Sequence, residues 1–223
     1  MIYQKALEKT FKKYIYNYDE KGFNQLVIHS KEIYSALENT NFLSPKVIKA
    51  SNMTIYYEYL NIERRMDKVW QNNIDMDNKV FEKIGEMLRL IHFGDIKNLL
   101  HGDFVLHNIF LNSSKDIVLI DAHPPEVIGY DESFLYGNPK VEMYLFLLNI
   151  TSSIGLKFAL KNLIPVRQAI KKFRYGYKSN NSTISLFRAT LRFYRIRRAS
   201  KFSISNSLAH ISAALFLICI SYE

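Results

Sequence analysis

Apolar and polar positions recur with different periods along this chain. Residues 9–18 alternate and are rich in aromatics, which predicts a strand ending at Asp19-Glu20-Lys21-Gly22. Over residues 22–39, Phe23, Leu26, Val27, Ile33, Tyr34 and Leu37 fall at helical spacing. Residues 44–49 and 53–60 read as two more strands joined by a polar turn at Ala50-Ser51-Asn52, and a charged stretch over 62–75 carries the only tryptophan, Trp70. From Asp77 to His92 the pattern is strongly amphipathic. Val80, Ile84, Met87, Leu88 and Ile91 recur at three and four, Asp77 is a candidate N-cap, and Gly94 lies just past the end. Two short apolar runs follow, Ile109–Leu111 and Ile117–Ile120, separated by Asn112-Ser113-Ser114-Lys115, and they predict a β-hairpin. A core helix is expected to begin within 137–148, and residues 157–201 read as basic amphipathic helices.

Composition narrows the class. The chain has 223 residues, 48% hydrophobic and 14% aromatic, enough to bury a sizeable core as one domain or two small lobes. One cysteine, Cys219, excludes an internal disulfide and fits a reducing compartment, and the opening Met1–Lys5 has no signal-peptide pattern, so a cytoplasmic chain is expected. The apolar run 208–220 falls short of the roughly twenty residues a membrane span needs.

The net charge of +9 is unevenly placed. Residues 1–142 hold 17 Lys/Arg against 20 Asp/Glu, whereas residues 143–222 hold 13 Lys/Arg and no acid. An anionic partner for the last third follows: a phosphorylated glycan or the inner face of a membrane, with nucleic acid disfavoured because no recognisable binding module accompanies the basic segment. The alternative is a solvated basic face. His29, His92 and His210 show no ligand spacing, so no zinc site is expected.

The chemistry concentrates around the hairpin. Asp103 and Asn108 lie five apart and Asp121 closes the second apolar run, so the chain reads His-Gly-Asp, four residues, Asn, a hairpin, then Asp. That is the spacing of a kinase catalytic loop and metal-binding segment. Phosphoryl transfer needs a positioned acceptor hydroxyl and neutralised triphosphate charge, and oxygen donors suit Mg²⁺. Asp103 would orient the hydroxyl and take its proton, and Asn108 and Asp121 would hold the metal. His101 is expected to brace the loop, and His107 and His123 read either as loop histidines or as substrate contacts.

With His-Gly-Asp in place of the protein-kinase His-Arg-Asp, the segment resembles the aminoglycoside phosphotransferase and small-molecule kinase branch of the protein-kinase-like fold. The phrase Ile84-Gly85-Glu86-Met87-Leu88-Arg89-Leu90-Ile91-His92 resembles the helix that precedes the catalytic loop there. The resemblance covers about residues 9–150 and includes kinases of cell-surface polysaccharide sugars, such as those of the lipopolysaccharide core. It implies an α+β, two-lobe architecture. Residues 1–60 would form a truncated N-lobe of a few antiparallel strands and one helix. Residues 61–223 would form a mainly helical C-lobe carrying the catalytic hairpin 99–121 and basic helices 157–223. It also implies ATP and Mg²⁺ as cofactors. Lys13, or Lys12 with the other strand register, would reach the phosphates, Glu32 would hold that lysine, and backbone around Glu58, Tyr59 and Leu60 would meet the adenine edge. Many relatives brace the catalytic loop with an Asp near the start of the next helix, and here the nearest acid is Glu142.

Two departures from that pattern stand out. Asp121-Ala122-His123-Pro124-Pro125 replaces Asp-Phe-Gly. Only about a dozen residues precede Lys13, and the first glycine is Gly22, so two full strands and a glycine-rich cap do not fit there. The expected function is therefore an ATP- and Mg²⁺-dependent phosphotransferase acting on a hydroxyl of a small molecule or glycan. The alternative is a pseudokinase or non-catalytic binding protein of the same fold that docks an anionic partner or membrane surface.

Overall fold

A computed structural model describes residues 7–10, 20–74, 77–122 and 138–179. Lys12, Lys13, His123, most of the predicted strand 9–18, the basic residues beyond 179 and the apolar run 208–220 lie outside the described residues.

The architecture is α+β. Strand β1 (Leu7–Thr10) leads to helix α1 (Glu20–Leu37), then β2 (Phe42–Leu43), β3 (Val47–Ser51), β4 (Thr54–Tyr57) and β5 (Arg64–Arg65). Helices α2 (Met66–Asn72) and α3 (Lys79–Phe93) precede β6 (Ile109–Leu111) and β7 (Ile117–Leu119), and α4 (Pro139–Ser152), α5 (Leu156–Lys161) and α6 (Leu163–Tyr177) follow.

The strands make two small sheets. The first is antiparallel in the order β1-β4-β3, with Leu7 opposite Tyr57 and Thr10 opposite Thr54. Its β3–β4 turn is tighter than the sequence suggests. Asn52 and Met53 carry it, with φ of 50° and 59°, and two left-handed residues match the twist of a two-residue hairpin. The second sheet runs β2-β7-β6-β5. The predicted hairpin β6–β7 is its centre, in the register Ile109 to Leu119 and Leu111 to Ile117. β2 adds to it in parallel and β5 antiparallel, each by two residues. The hairpin turn is fixed by Asn112, whose backbone carbonyl and side-chain oxygen accept the N–H groups of Lys115 and Asp116 at 3.0 and 2.8 Å.

Apolar burial is gathered in two clusters. Phe23, Leu26 and Val27 of α1 pack against Ile55 and Tyr57 of the first sheet. A larger cluster joins the hairpin to the helices through Trp70, Phe81, Leu106, Ile109, Phe146 and Phe173. Each large apolar side chain buried there contributes about 1.5–3 kcal/mol. α4 is buried on nearly every side, so its run Met143–Ile150 is apolar almost throughout. Its C-terminal carbonyls are met by α2: Trp70 Nε1 donates to Ile150 O at 3.0 Å and Gln71 Nε2 to Ser153 O at 2.6 Å.

α3 starts two residues later than predicted, and Asn78, not Asp77, stands at its N-cap; Asp77 lies one residue before it, its carboxylate accepting the Lys79 N–H at 3.0 Å. α3 and α6 cross with backbones in contact. A Cβ on Gly85 would overlap the Phe173 carbonyl, and one on Gly176 would overlap the Glu82 carbonyl, so a glycine on each helix permits the approach.

Candidate functional site

The loop that opens the hairpin closes on itself. Leu106–Asn108 form one 3₁₀ turn, with the Asn108 N–H donating to the Val105 carbonyl at 3.0 Å. That turn swings the Asn108 side chain back over Asp103. Nδ2 donates to the Asp103 carbonyl and to its carboxylate Oδ2, both at 2.9 Å. Asn108 is buried and Asp103 is half-exposed.

Asp121 arrives by the returning strand. Its neighbour Ile120 donates its N–H to the Asn108 carbonyl at 3.0 Å, so the backbones beside Asn108 and Asp121 are in direct contact. Asp121 sits in the left-handed region at φ 61°, half-exposed, with one carboxylate oxygen buried. Aspartate tolerates that conformation better than most residues, at a cost of about 1 kcal/mol or more, and backbone strain of this kind gathers at functional sites.

Side chains from two helices hold the loop by its backbone. Glu142 of α4 accepts the His101 N–H at 3.0 Å and the Gly102 N–H at 2.6 Å. Asn149, seven residues on and therefore on the same face of α4, accepts the Leu106 N–H at 2.8 Å. From α1, His29 Nε2 donates to the His101 carbonyl at 3.1 Å. Gly102 has φ 90°, so this turn requires the glycine of His-Gly-Asp. His101 is fully buried, with its ring edge-on to Phe104.

Glu142 has a second set of contacts. His92 Nε2 of α3 donates to its Oε2 at 2.8 Å, and His92 Nδ1 lies 2.7 Å from the Tyr177 hydroxyl of α6. Burial pushes the Glu142 pKa up, but the hydrogen bond and charge of His92, with the charge and N–H of His101, outweigh it and leave the group below its ordinary value. Burial, with the Glu142 charge, pushes the Tyr177 phenol well above its ordinary range, so it keeps its proton.

The sequence-predicted residues fall as follows. Asp103 and Asn108 are joined directly, and Ile120, the residue before Asp121, bonds to the Asn108 carbonyl. Glu32 lies on α1 with one carboxylate oxygen buried; the lysine expected to pair with it lies outside the described residues. Of the three residues at the expected adenine edge, Glu58 is spent as a donor. Its N–H extends the β3–β4 pairing to the Lys46 carbonyl at 2.8 Å, which leaves the N–H groups of Tyr59 and Leu60. His107 is exposed, with Nε2 3.9 Å from the Asp103 carboxylate. Glu142, whose role the sequence left open, makes the brace. The other supports, His29, His92, Asn149 and Tyr177, were not foreseen. The available signal was polarity at a buried position: Glu142 and Asn149 interrupt an otherwise apolar helix at a seven-residue interval.

Among the described residues no three His, Cys, Asp or Glu side chains group to hold a metal by themselves. The donor set nevertheless fits a hard cation. Asn108 commits Nδ2 to Asp103, so Oδ1 is the atom with which it could meet a cation, and Asp121 follows just past the end of the paired strand. One amide oxygen and one carboxylate suit Mg²⁺, which takes few protein ligands and completes its shell with water and phosphate oxygens. Compared with known proteins, the chain matches no family model and no curated protein sequence.

Proposed function

We propose that this chain is an ATP-dependent phosphotransferase of protein-kinase-like, two-lobe fold that acts on a hydroxyl group of a small molecule or glycan. The supporting observation is the pairing of Asn108 with Asp103 beside the backbone contact between Asn108 and Ile120. These contacts support a reading in which Asp103, Asn108 and Asp121 act together at one end of the hairpin.

On this reading Asp103 accepts the proton of the acceptor hydroxyl as its oxygen bonds to the γ-phosphorus and the bond to the leaving ADP oxygen breaks. Asn108 fixes the Asp103 carboxylate, so its geometry is set before substrate arrives. Asn108 Oδ1 and Asp121 would hold Mg²⁺, which supplies charge neutralisation for the triphosphate. Tyr59 and Leu60 offer backbone N–H groups to the adenine edge.

The test is thermal unfolding with millimolar ATP and Mg²⁺, since a ligand that binds only the folded state raises its apparent stability. Wild type should be stabilised and Asp121→Asn should not. Phosphoryl transfer to a panel of sugar acceptors should fall at least about 100-fold in Asp103→Ala. Equal transfer by Asp103→Ala removes Asp103 as the base. Absence of nucleotide stabilisation favours a non-catalytic binding protein.

A further inference from the structure

The corner between α5 and α6 presents a surface that the proposed chemistry does not use. Phe158, Leu160, Leu163 and Ile164 fall within seven residues, and they are 41%, 53%, 43% and 71% exposed. Scattered exposed apolar residues are ordinary, whereas a cluster this dense marks an interaction surface.

Local structure sends these side chains outward. α5 buries Ala159, and α6 buries Val166, Ala169, Ile170 and Phe173. The two helices break and restart at Asn162. Its N–H donates to the carbonyls of Phe158 and Ala159, both at 3.1 Å, its side-chain amide donates to the Phe158 carbonyl at 2.9 Å, and its own carbonyl accepts the Val166 N–H at 3.2 Å. Pro165 lies in the first turn of α6, where a missing N–H costs nothing. The last turn of α5 is thereby fixed to the first turn of α6, and the four apolar side chains stand exposed on either side of that joint.

Along these two helices the charge has one sign. Lys157, Lys161, Arg167 and Lys171 are also exposed, and neither helix contains an acid. On α6, Ile164, Arg167 and Lys171 follow one another at three and four residues along one face. Glu82 of α3 pairs with Lys172 at 2.9 Å, and Asp77 acts on the same ammonium. Lys172 is therefore committed and plays no part in this surface.

We propose that the α5–α6 corner rests on an anionic lipid bilayer, with the four apolar side chains entering the acyl boundary and Lys157, Lys161 and Lys171 at the headgroup phosphates. A nucleic acid would satisfy the charge but leave four large apolar groups in water. A bilayer satisfies both, and no helix among the described residues is long and apolar enough to cross it. The proposal is independent of the phosphotransfer reading.

The test is flotation of the full chain with phosphatidylcholine vesicles containing about one-third phosphatidylglycerol, against phosphatidylcholine alone. Wild type should bind the anionic vesicles, and added salt should weaken the binding. Leu160→Ser combined with Ile164→Ser should lose at least about tenfold in affinity, whereas Ile48→Ser, another exposed apolar position, should lose nothing. Unchanged unfolding midpoints show that the variants fold. In Ile164→Trp, tryptophan emission should shift to the blue on anionic vesicles. Failure of wild type to bind overturns the proposal. So does equal binding by the double serine variant, because the contact then lies elsewhere. Loss of a dimer in the double variant with vesicle binding unchanged assigns the corner to an interface between copies and overturns it as well.

Discussion

Glu142 receives the backbone N–H of Gly102 at 2.6 Å from forty residues away. A glycine in left-handed conformation is thus tied to a buried carboxylate that is also tied to His92. The geometry of the loop carrying Asp103 therefore depends on a charge inside the helical core. Glu142→Ala would leave two loop amides and a buried imidazole without their acceptor, at a cost of about 3–5 kcal/mol. That is a large share of a typical domain's stability, so Glu142→Gln, which keeps one acceptor oxygen, is the informative variant. It should lose about 1–3 kcal/mol at pH 7, read from urea midpoints.

The same carboxylate sets a pH dependence. The folded pKa of Glu142 lies below its ordinary 4.5, so its contribution is complete above that value and is lost as pH falls through the folded pKa. The stability difference between wild type and Glu142→Gln should therefore narrow as pH falls below 4.5. Asp67 moves the same way: burial raises it, and its two bonds from Arg65 more than offset that. Because Asp67 is common to both proteins, the difference between them isolates Glu142. A difference unchanged down to pH 3 would mean that Glu142 does not titrate against the fold.

The α3–α6 crossing sets two effects against each other. Glycine to alanine within a helix ordinarily gains about 1 kcal/mol from backbone entropy. At Gly85 and Gly176 the new methyl would overlap a carbonyl of the facing helix, and overpacking costs about 1–3 kcal/mol, more where backbone must move. The clash should prevail, so each alanine variant should unfold at lower denaturant by a net 1–2 kcal/mol or more. The double variant should cost less than the sum, because both methyls force the same separation. Gain of stability in either single variant would show that the helices are not in backbone contact.

What could be read in the sequence was whatever repeats locally. Helix α3 and the hairpin β6–β7 were legible because their apolar positions recur over enough residues to define a period. That Asp103 and Asn108 lie near each other was legible because one short loop carries both, but the hydrogen bond between their side chains was not. β2 and β5 were not, since two residues define no period and pair only because the hairpin presents its edges. The supports of the loop were hidden for another reason. His29, His92, Glu142, Asn149 and Tyr177 come from four helices, and only packing brings them together. Gly85 and Gly176 were equally silent, since each has meaning only against the other helix.

His29 joins α1 to the loop, so its removal should loosen a segment at a distance from α1's own packing. His29→Leu keeps an apolar body in a fully buried site but leaves the His101 carbonyl without this donor, for about 1–3 kcal/mol. Local opening should increase with it. Amide exchange at Gly102 and Leu106 should accelerate, while amides in the middle of α3 keep their protection relative to global unfolding. Uniform acceleration at all these sites would mean that His29 contributes only to global stability.

Asn108→Asp separates the loop's geometry from its capacity to hold a cation. The substitution keeps the size and supplies an oxygen ligand, but it replaces the Nδ2 donor by a second carboxylate at hydrogen-bond distance from Asp103. An attraction becomes a like-charge repulsion. The Asp103 side chain is 44% exposed, so solvent screens much of that repulsion, and the stability cost should be about 1–2 kcal/mol and should shrink in high salt. Asn108→Ala should lose a similar amount with no such salt recovery, because it creates no repulsion. On the phosphotransfer reading, both variants should transfer phosphate about 100-fold more slowly, since neither fixes the Asp103 carboxylate. Salt recovery without any change in transfer would leave the Asp103–Asn108 contact as a structural tie and remove it from the chemistry.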